Sequence, residues 1–175
     1  MDTLQCIQNR ISVRSFLDKD VEREKLFIIA KAGFEAPTAK NTRQIALTVV
    51  KGETLKKIND AMEKRFSKEM REYFVTDGKF NFYRGGNALI VVSLGEGSIM
   101  PEQNTGCIME NMYLAATELG IGACWINQFY GIDSGEIIDL LKLDKGYRPF
   151  AALSVGYVDQ MPSKRVRDGK LTFLD

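Results

Sequence analysis

One stretch, NALIVVSL at residues 87–94, limits most what this chain can fold into. Its centre, from Ala88 to Val92, is continuously apolar, without the alternation of polar and apolar residues typical of a strand with one solvated face. We therefore expect a β-strand that is covered on both faces.

The rest of the chain alternates between strand-like and helix-like segments. Strands are predicted from β-branched and apolar content, and helices from apolar residues at helical spacing. Besides the stretch above, the predicted strands are 45–51, 121–129 and 149–158, and the predicted helices are a short first helix ending near Asn9, 22–33, 53–72, 101–120 and about 134–142. Helices that alternate with buried strands indicate an α/β or α+β fold, and 175 residues suit a single domain, 1–175.

The composition excludes several classes of function. The 24 Lys and Arg residues against 23 Asp and Glu residues give a net charge of +1, too balanced for a general nucleic-acid or membrane-surface binder. No apolar run reaches the length of a membrane helix, and the N-terminus lacks the apolar centre of a signal peptide. We expect a cytoplasmic protein with no nucleic-acid or membrane partner.

The chain contains no histidine, which removes the imidazole base, the Ser-His-Asp and Cys-His nucleophile systems and the His-ligated zinc site. Three scattered cysteines form neither a disulfide framework nor a metal-ligand cluster, so no metal site is predicted. If the chain is an enzyme, its reactive group is expected to come from a cofactor.

Two basic rows are candidates for anion binding. In the stretch NRISVRSF, Arg10, Ser12 and Arg14 would share one face of an extended chain, and Arg165 and Arg167 repeat this spacing near the C-terminus. Taken alone, each row is also compatible with a solvated surface. If the two rows meet in space, they form a positive site of phosphate size. The sequence has no Gly-rich phosphate loop, so arginine side chains would hold the phosphate.

The sequence leaves the roles of two further polar or aromatic segments undecided. The loop APTAKNTRQ at 36–44 offers hydroxyls and amides that could read a heterocycle, or could satisfy local backbone groups. Trp125 is compatible with a core position and with a stacking partner. The polar tail at about 159–175 ends in apolar residues and needs a surface, which a partner subunit could supply.

The order of four motifs resembles the FMN-dependent nitroreductase family. The motifs are NRISVRSF, APTAKNTRQ, NMYLAATELGIGACWINQF and SVGYVDQMPSKRVR, and together they span nearly the whole chain. The resemblance implies an α+β fold with a central mixed, mainly antiparallel sheet flanked by helices. It also implies an intertwined homodimer with FMN at the subunit interface and an extended C-terminal tail that packs on the partner subunit.

The resemblance also implies roles for individual residues. The FMN phosphate would be held by Arg10, Arg165 and Arg167 with help from Ser12 and the adjoining Ile11, while Arg14 would lie nearer the pyrimidine edge of the ring. Pro37, Thr38 and Asn41 match the loop that reaches the flavin from the partner subunit. The strand beneath the ring corresponds to Trp125, Ile126, Asn127 and Gln128, with the backbone N–H of Asn127 toward flavin N5 and no side-chain acid or base.

The implied activity is hydride transfer from NAD(P)H through flavin N5 to a small electron acceptor such as a nitroaromatic or a quinone. Two alternatives remain: a family relative with specialised flavin chemistry that does not use NAD(P)H, and a non-enzymatic module that binds FMN or phosphate. Two departures bear on this choice. Ile45 and Ala46 stand where the family often has Pro and Trp, and WINQ stands where many members have Pro-x-Glu-Gly, which changes the electrostatics near N5.

Overall fold

The computed structural model describes residues 1–76, 78–163 and 166–174. The helices are α1 (Thr3–Asn9), α2 (Arg23–Phe34), α3 (Gly52–Glu63), α4 (Lys68–Tyr73), α5 (Pro101–Glu118) and α6 (Gly135–Leu140). The strands are β1 (Ile45–Lys51), β2 (Val75–Thr76), β3 (Lys79–Phe80), β4 (Ala88–Gly95), β5 (Gly122–Ile126) and β6 (Tyr147–Gly156).

The main sheet has the strand order β1-β4-β6-β5, and all its neighbouring strands are antiparallel. The N-terminal stretch extends this sheet on the outer side of β5, where Ser12 forms a parallel bridge to Ala123. The neighbouring Val13 N–H donates to the Ala123 carbonyl oxygen at 2.8 Å. The predicted mixed, mainly antiparallel sheet is therefore confirmed.

Strand β4 is buried along its whole length, as its apolar run predicts. Ile90 and Val92 belong to a core that includes residues of α2 and α5. Leu89 and Val91 belong to a second core, on the opposite face, that includes residues of α3 and α6. Helices thus cover the sheet on both faces, and the long α5 lies on the same side as the N-terminal stretch.

Two predicted elements differ from the observed ones. The predicted helix 53–72 is two helices, because the apolar spacing continues across a break near Phe66, whose ring packs 5.6 Å from that of Phe74. A new cap starts α4, since the Ser67 side chain accepts from the Met70 N–H at 3.3 Å. The predicted strand 121–129 ends at Ile126, and Phe129 is buried in the turn that follows.

The described part of the C-terminal tail lies exposed. Leu171, Phe173 and Leu174 have exposed fractions of 79%, 81% and 92%. Apolar side chains are usually buried in the core, and these three are not buried by the rest of the chain. Among the described residues, no helix is long and apolar enough to cross a membrane.

Candidate functional site

A polar cavity of about 530 Å³ lies beside the N-terminal stretch. We call it the arginine cavity; its lining consists of Arg10, Ile11, Ser12, Arg14, Tyr73, Pro162, Ser163 and Arg167. Three guanidinium groups and two hydroxyl-bearing serines therefore converge on one space, in a chain whose overall charge is +1. Such donors suit a phosphate or another multivalent anion.

The first arginine of this cavity is fixed against α5. Its Nε atom lies 3.6 Å from Glu110 Oε1, and its guanidinium carbon lies 4.9 Å from the ring centroid of Tyr113. An ion pair through Nε occupies one of five N–H donors of Arg10, so the contact orients the group without using its whole hydrogen-bonding capacity.

Tyr113 joins three elements beside Ser12, which lines the cavity. Its hydroxyl donates to the Ala123 carbonyl oxygen of β5 at 2.8 Å and shares a hydrogen bond with the Ser12 hydroxyl at 3.0 Å. Burial raises the pKa of Tyr113, although the Ser12 hydrogen bond opposes this. A neutral phenol thus holds the N-terminal stretch on both α5 and β5.

The second basic row folds back onto the first. Arg167 Nη1 donates to the Ile7 carbonyl oxygen at 3.4 Å, and Nη2 donates to the Arg10 carbonyl oxygen. The structure therefore brings together Arg10 and Arg167 from the two ends of the chain. Arg165 lies outside the described residues.

A smaller cavity of about 270 Å³ lies between β5, α5 and the start of β6. We call it the tryptophan cavity; its lining consists of Glu102, Thr105, Trp125, Asn127, Tyr130 and Phe150. Trp125 is 37% exposed, so its side chain lines this space rather than filling the core. Ile126 points into the core on the opposite face, and Gln128 lies half-buried in the turn after β5.

The tryptophan cavity carries one polar side-chain pair. The Tyr130 hydroxyl donates to Glu102 Oε1 at 3.1 Å, and this hydrogen bond raises the pKa of Tyr130. The Tyr130 ring also meets Phe150, with ring centroids 6.1 Å apart. The lining of this cavity therefore combines aromatic rings with the carboxyl group of Glu102.

The loop with Pro37, Thr38 and Asn41 lines neither of these two cavities. It is held by Asn104, a buried residue of α5 whose Oδ1 accepts from the Ala39 N–H at 2.8 Å. Asn104 Nδ2 in turn donates to the Ile99 carbonyl oxygen at 2.8 Å. Within a single chain, this loop is therefore anchored on α5 and contributes no residue to either cavity.

Sequence reasoning missed Tyr73, Glu110 and Tyr113. Glu110 and Tyr113 fall on the predicted helix 101–120, three positions apart and so on neighbouring parts of its surface, which was a usable signal. The sequence did not indicate that their partners would be Arg10 and Ser12, because those contacts join segments about a hundred residues apart.

Residues 7–157 match the model of the nitroreductase family. The chain belongs to this family. A putative NADH dehydrogenase/NAD(P)H nitroreductase of Methanothermobacter thermautotrophicus is 28% identical over 172 residues, which cover 94% of this chain and 82% of that protein.

Solved structures resemble this nitroreductase-family protein over its whole length. A nitroreductase with bound FMN from Bacteroides fragilis superimposes with a TM-score of 0.87 and 27% identity, covering 100% of both chains. A nitroreductase with bound FMN from Desulfitobacterium hafniense gives a TM-score of 0.85, 23% identity and the same coverage. The predicted nitroreductase-like fold is confirmed.

Proposed function

We propose that this chain is an FMN-dependent oxidoreductase that transfers hydride from NAD(P)H to a small electrophilic acceptor, such as a nitroaromatic or a quinone. The observation that carries the proposal is the arginine cavity, where Arg10, Arg14 and Arg167 converge with Ser12. Family membership and the FMN named in the Bacteroides fragilis structure support the same cofactor.

The donor set fits a flavin mononucleotide at its phosphate end. Guanidinium groups form paired hydrogen bonds with phosphate oxygens, and a serine hydroxyl adds one more donor. Arg10 and Arg167 lie together and would hold the phosphate, with help from the Ser12 hydroxyl, which lines the same cavity. Arg14 would lie toward the pyrimidine edge of the ring.

The ring would lie along the end of β5. It would reach from the Arg14 end of the arginine cavity toward Trp125 and Asn127 of the tryptophan cavity, whose aromatic lining suits a flat heterocycle. The backbone N–H of Asn127 is the proposed donor to flavin N5, flanked by Ile126 and Gln128. Bound FMN would supply the two-electron chemistry that a chain without histidine lacks. The protein's own groups would bind and orient the flavin and shield it from water.

The functional form would be a homodimer. An apolar groove of about 800 Å³ lies between α2 and the outer strand β1, lined by residues such as Leu26, Phe27 and Leu47. We propose that the exposed tail residues Phe173 and Leu174 of a second copy fill this groove, because both surfaces are apolar and uncovered in one chain. The loop with Pro37, Thr38 and Asn41 would then reach the partner's cofactor.

Reconstitution tests this function directly. Apoprotein is titrated with FMN, and the reconstituted protein is mixed anaerobically with NADH or NADPH while the flavin absorbance is followed. We expect stoichiometric FMN uptake and bleaching by at least one nicotinamide, followed by reoxidation with a quinone or a nitroaromatic. Protein that takes up no FMN overturns the proposal; FMN uptake without bleaching overturns the NAD(P)H step and favours specialised flavin chemistry.

A further inference from the structure

Tyr73, the last residue of α4, is an exposed aromatic side chain that is nevertheless held in place. Its side chain is 69% exposed, yet the Arg84 guanidinium carbon lies 4.7 Å from its ring centroid. Arg84 Nη1 also donates to the Tyr73 carbonyl oxygen at 3.3 Å. A cation over a ring face and a hydrogen bond to the same residue restrict the ring before any ligand arrives.

Arg84 is itself anchored to the core. Its guanidinium carbon lies 4.4 Å from the ring centroid of Phe74, which is 3% exposed. Its backbone has a left-handed φ of 62°, within a turn in which the Gly85 N–H donates to Asn81 Oδ1 at 3.0 Å. The Tyr73 ring thus rests on a support that is continuous with the packed interior.

Tyr73 and Arg14 both line the arginine cavity. The guanidiniums of Arg14 and Arg84 both act on the thiol of Cys124: burial raises its pKa, and the two positive charges oppose that rise. Arg14 and Tyr73 thus line the same cavity, and Arg84 holds the Tyr73 ring at its edge. Arg10 and Arg167, by contrast, meet at the N-terminal end of the stretch.

We propose that Tyr73, held in place by Arg84, is a further cofactor-binding residue whose ring packs against the flavin at the Arg14 end of the cavity. This inference rests on the proposed function, since it takes FMN as the ligand. A restrained ring contributes packing area at low conformational cost, and its flat face excludes water from the ligand. Tyr73 would therefore add affinity for the ring portion, and not for the phosphate.

The test compares flavin binding by apoprotein variants, measured by fluorescence titration with no turnover involved. Tyr73→Ala is expected to raise the Kd for FMN about tenfold, whereas Tyr73→Phe keeps the ring and stays within about twofold. Met70→Ala is the matched control, because Met70 lies on the same helix and is 43% exposed but does not line the cavity. Arg84→Ala frees the ring and is expected to fall between wild type and Tyr73→Ala.

Riboflavin lacks the phosphate, so comparing its affinity with that of FMN distinguishes the contributions of the two ends of the cavity. Tyr73→Ala is expected to weaken riboflavin and FMN by the same factor and to increase iodide quenching of the bound flavin. Arg167→Ala is expected to weaken FMN alone. A Tyr73→Ala Kd equal to that of Met70→Ala, or a loss confined to FMN, would overturn the inference.

Two controls keep the result interpretable. Far-UV circular dichroism and thermal melting check each variant; if Tyr73→Ala loses its fold, Tyr73→Leu, which keeps apolar cover over Phe74, takes its place with the same expected direction. Wild-type protein that binds no FMN overturns the proposed function itself. Wild-type binding with undiminished affinity in the Tyr73 variants overturns only the role of Tyr73.

Discussion

Arg167 donates a hydrogen bond to the backbone carbonyl oxygen of Arg10, 157 positions earlier in the chain. The contact places the guanidinium of Arg167 against the N-terminal stretch, where it lines the same cavity as Arg10 and Arg14. Neither basic row makes the arginine cavity alone, because its lining includes Arg10, Ser12 and Arg14 from the N-terminal stretch and Arg167 from the C-terminal tail.

Removing either arginine of this pair should weaken FMN binding. Arg10→Ala and Arg167→Ala would each delete the charge-assisted hydrogen bonds proposed for the phosphate, worth about 1.5–3 kcal/mol, or roughly ten- to a hundredfold in Kd. Fluorescence titration of the apoprotein measures the change. Lys170→Ala, an exposed cation in the same tail that lines no part of the cavity, should leave the Kd unchanged. If all three variants bound FMN with equal affinity, the cavity would not be the phosphate-binding site.

The Tyr113 hydroxyl should stabilise the fold as well as the cavity. Tyr113→Phe leaves the Ala123 carbonyl oxygen without its side-chain donor and frees Ser12, so we expect a loss of about 1–3 kcal/mol in the free energy of unfolding. Urea denaturation followed by circular dichroism measures this value. Ser12→Ala removes only one of the two hydrogen bonds and should cost less. The reverse order would show that the buried carbonyl is not the dominant partner.

The apolar tail should determine the oligomeric state. Replacing Phe173 and Leu174 by Asp places charges where the proposed dimer buries apolar side chains, so we expect dissociation into monomers. Sedimentation velocity over a range of concentrations measures this, with Lys170→Ala as the control. A double variant that remains a dimer would show that the tail is not the interface.

Stability should depend on pH through Glu22. Tyr157 donates to Glu22 Oε2 at 2.7 Å, and this hydrogen bond is the main cause that lowers the pKa of the carboxyl in the folded state, with Lys25 contributing. A lowered folded-state pKa means that the stabilisation is present above the ordinary carboxyl pKa and is lost as the pH falls through the folded-state value.

We therefore expect Glu22→Gln to melt below wild type at neutral pH, with the difference shrinking as the solution is acidified. Thermal melting at several pH values measures it. A gap between the two proteins that widens in acid would contradict the assigned direction.

The sequence predicted secondary structure best where the pattern of apolar residues lay within one segment. The apolar run at Ala88–Val92 predicted the buried central strand, and the helical spacing up to Gly120 predicted α5, because burial on defined faces imposes those periods. It failed where two signals overlapped. Phe66 continues the helical spacing past the end of α3, but its ring belongs to a cluster with Phe74 and Phe80.

The candidate site was predictable in its parts but not in its assembly. The alternation in NRISVRSF put Arg10, Ser12 and Arg14 on one face, and the three residues do line one cavity. Tyr73 and Tyr113 could not be found this way, because their roles depend on which helix lies against which strand. Such contacts between distant segments leave no periodic trace in a single sequence.

The two outer sides of the main sheet have different neighbours. Beyond β5, the chain's own N-terminal stretch forms the Ser12–Ala123 bridge, whereas no other described strand pairs with the outer side of β1. A sheet with two open sides could add copies without limit and grow into fibres. Because the chain's own N-terminal stretch already occupies the outer side of β5, β1 is the strand left open to a second copy, and two copies that pair through β1 use up that open strand in both and form a finite assembly.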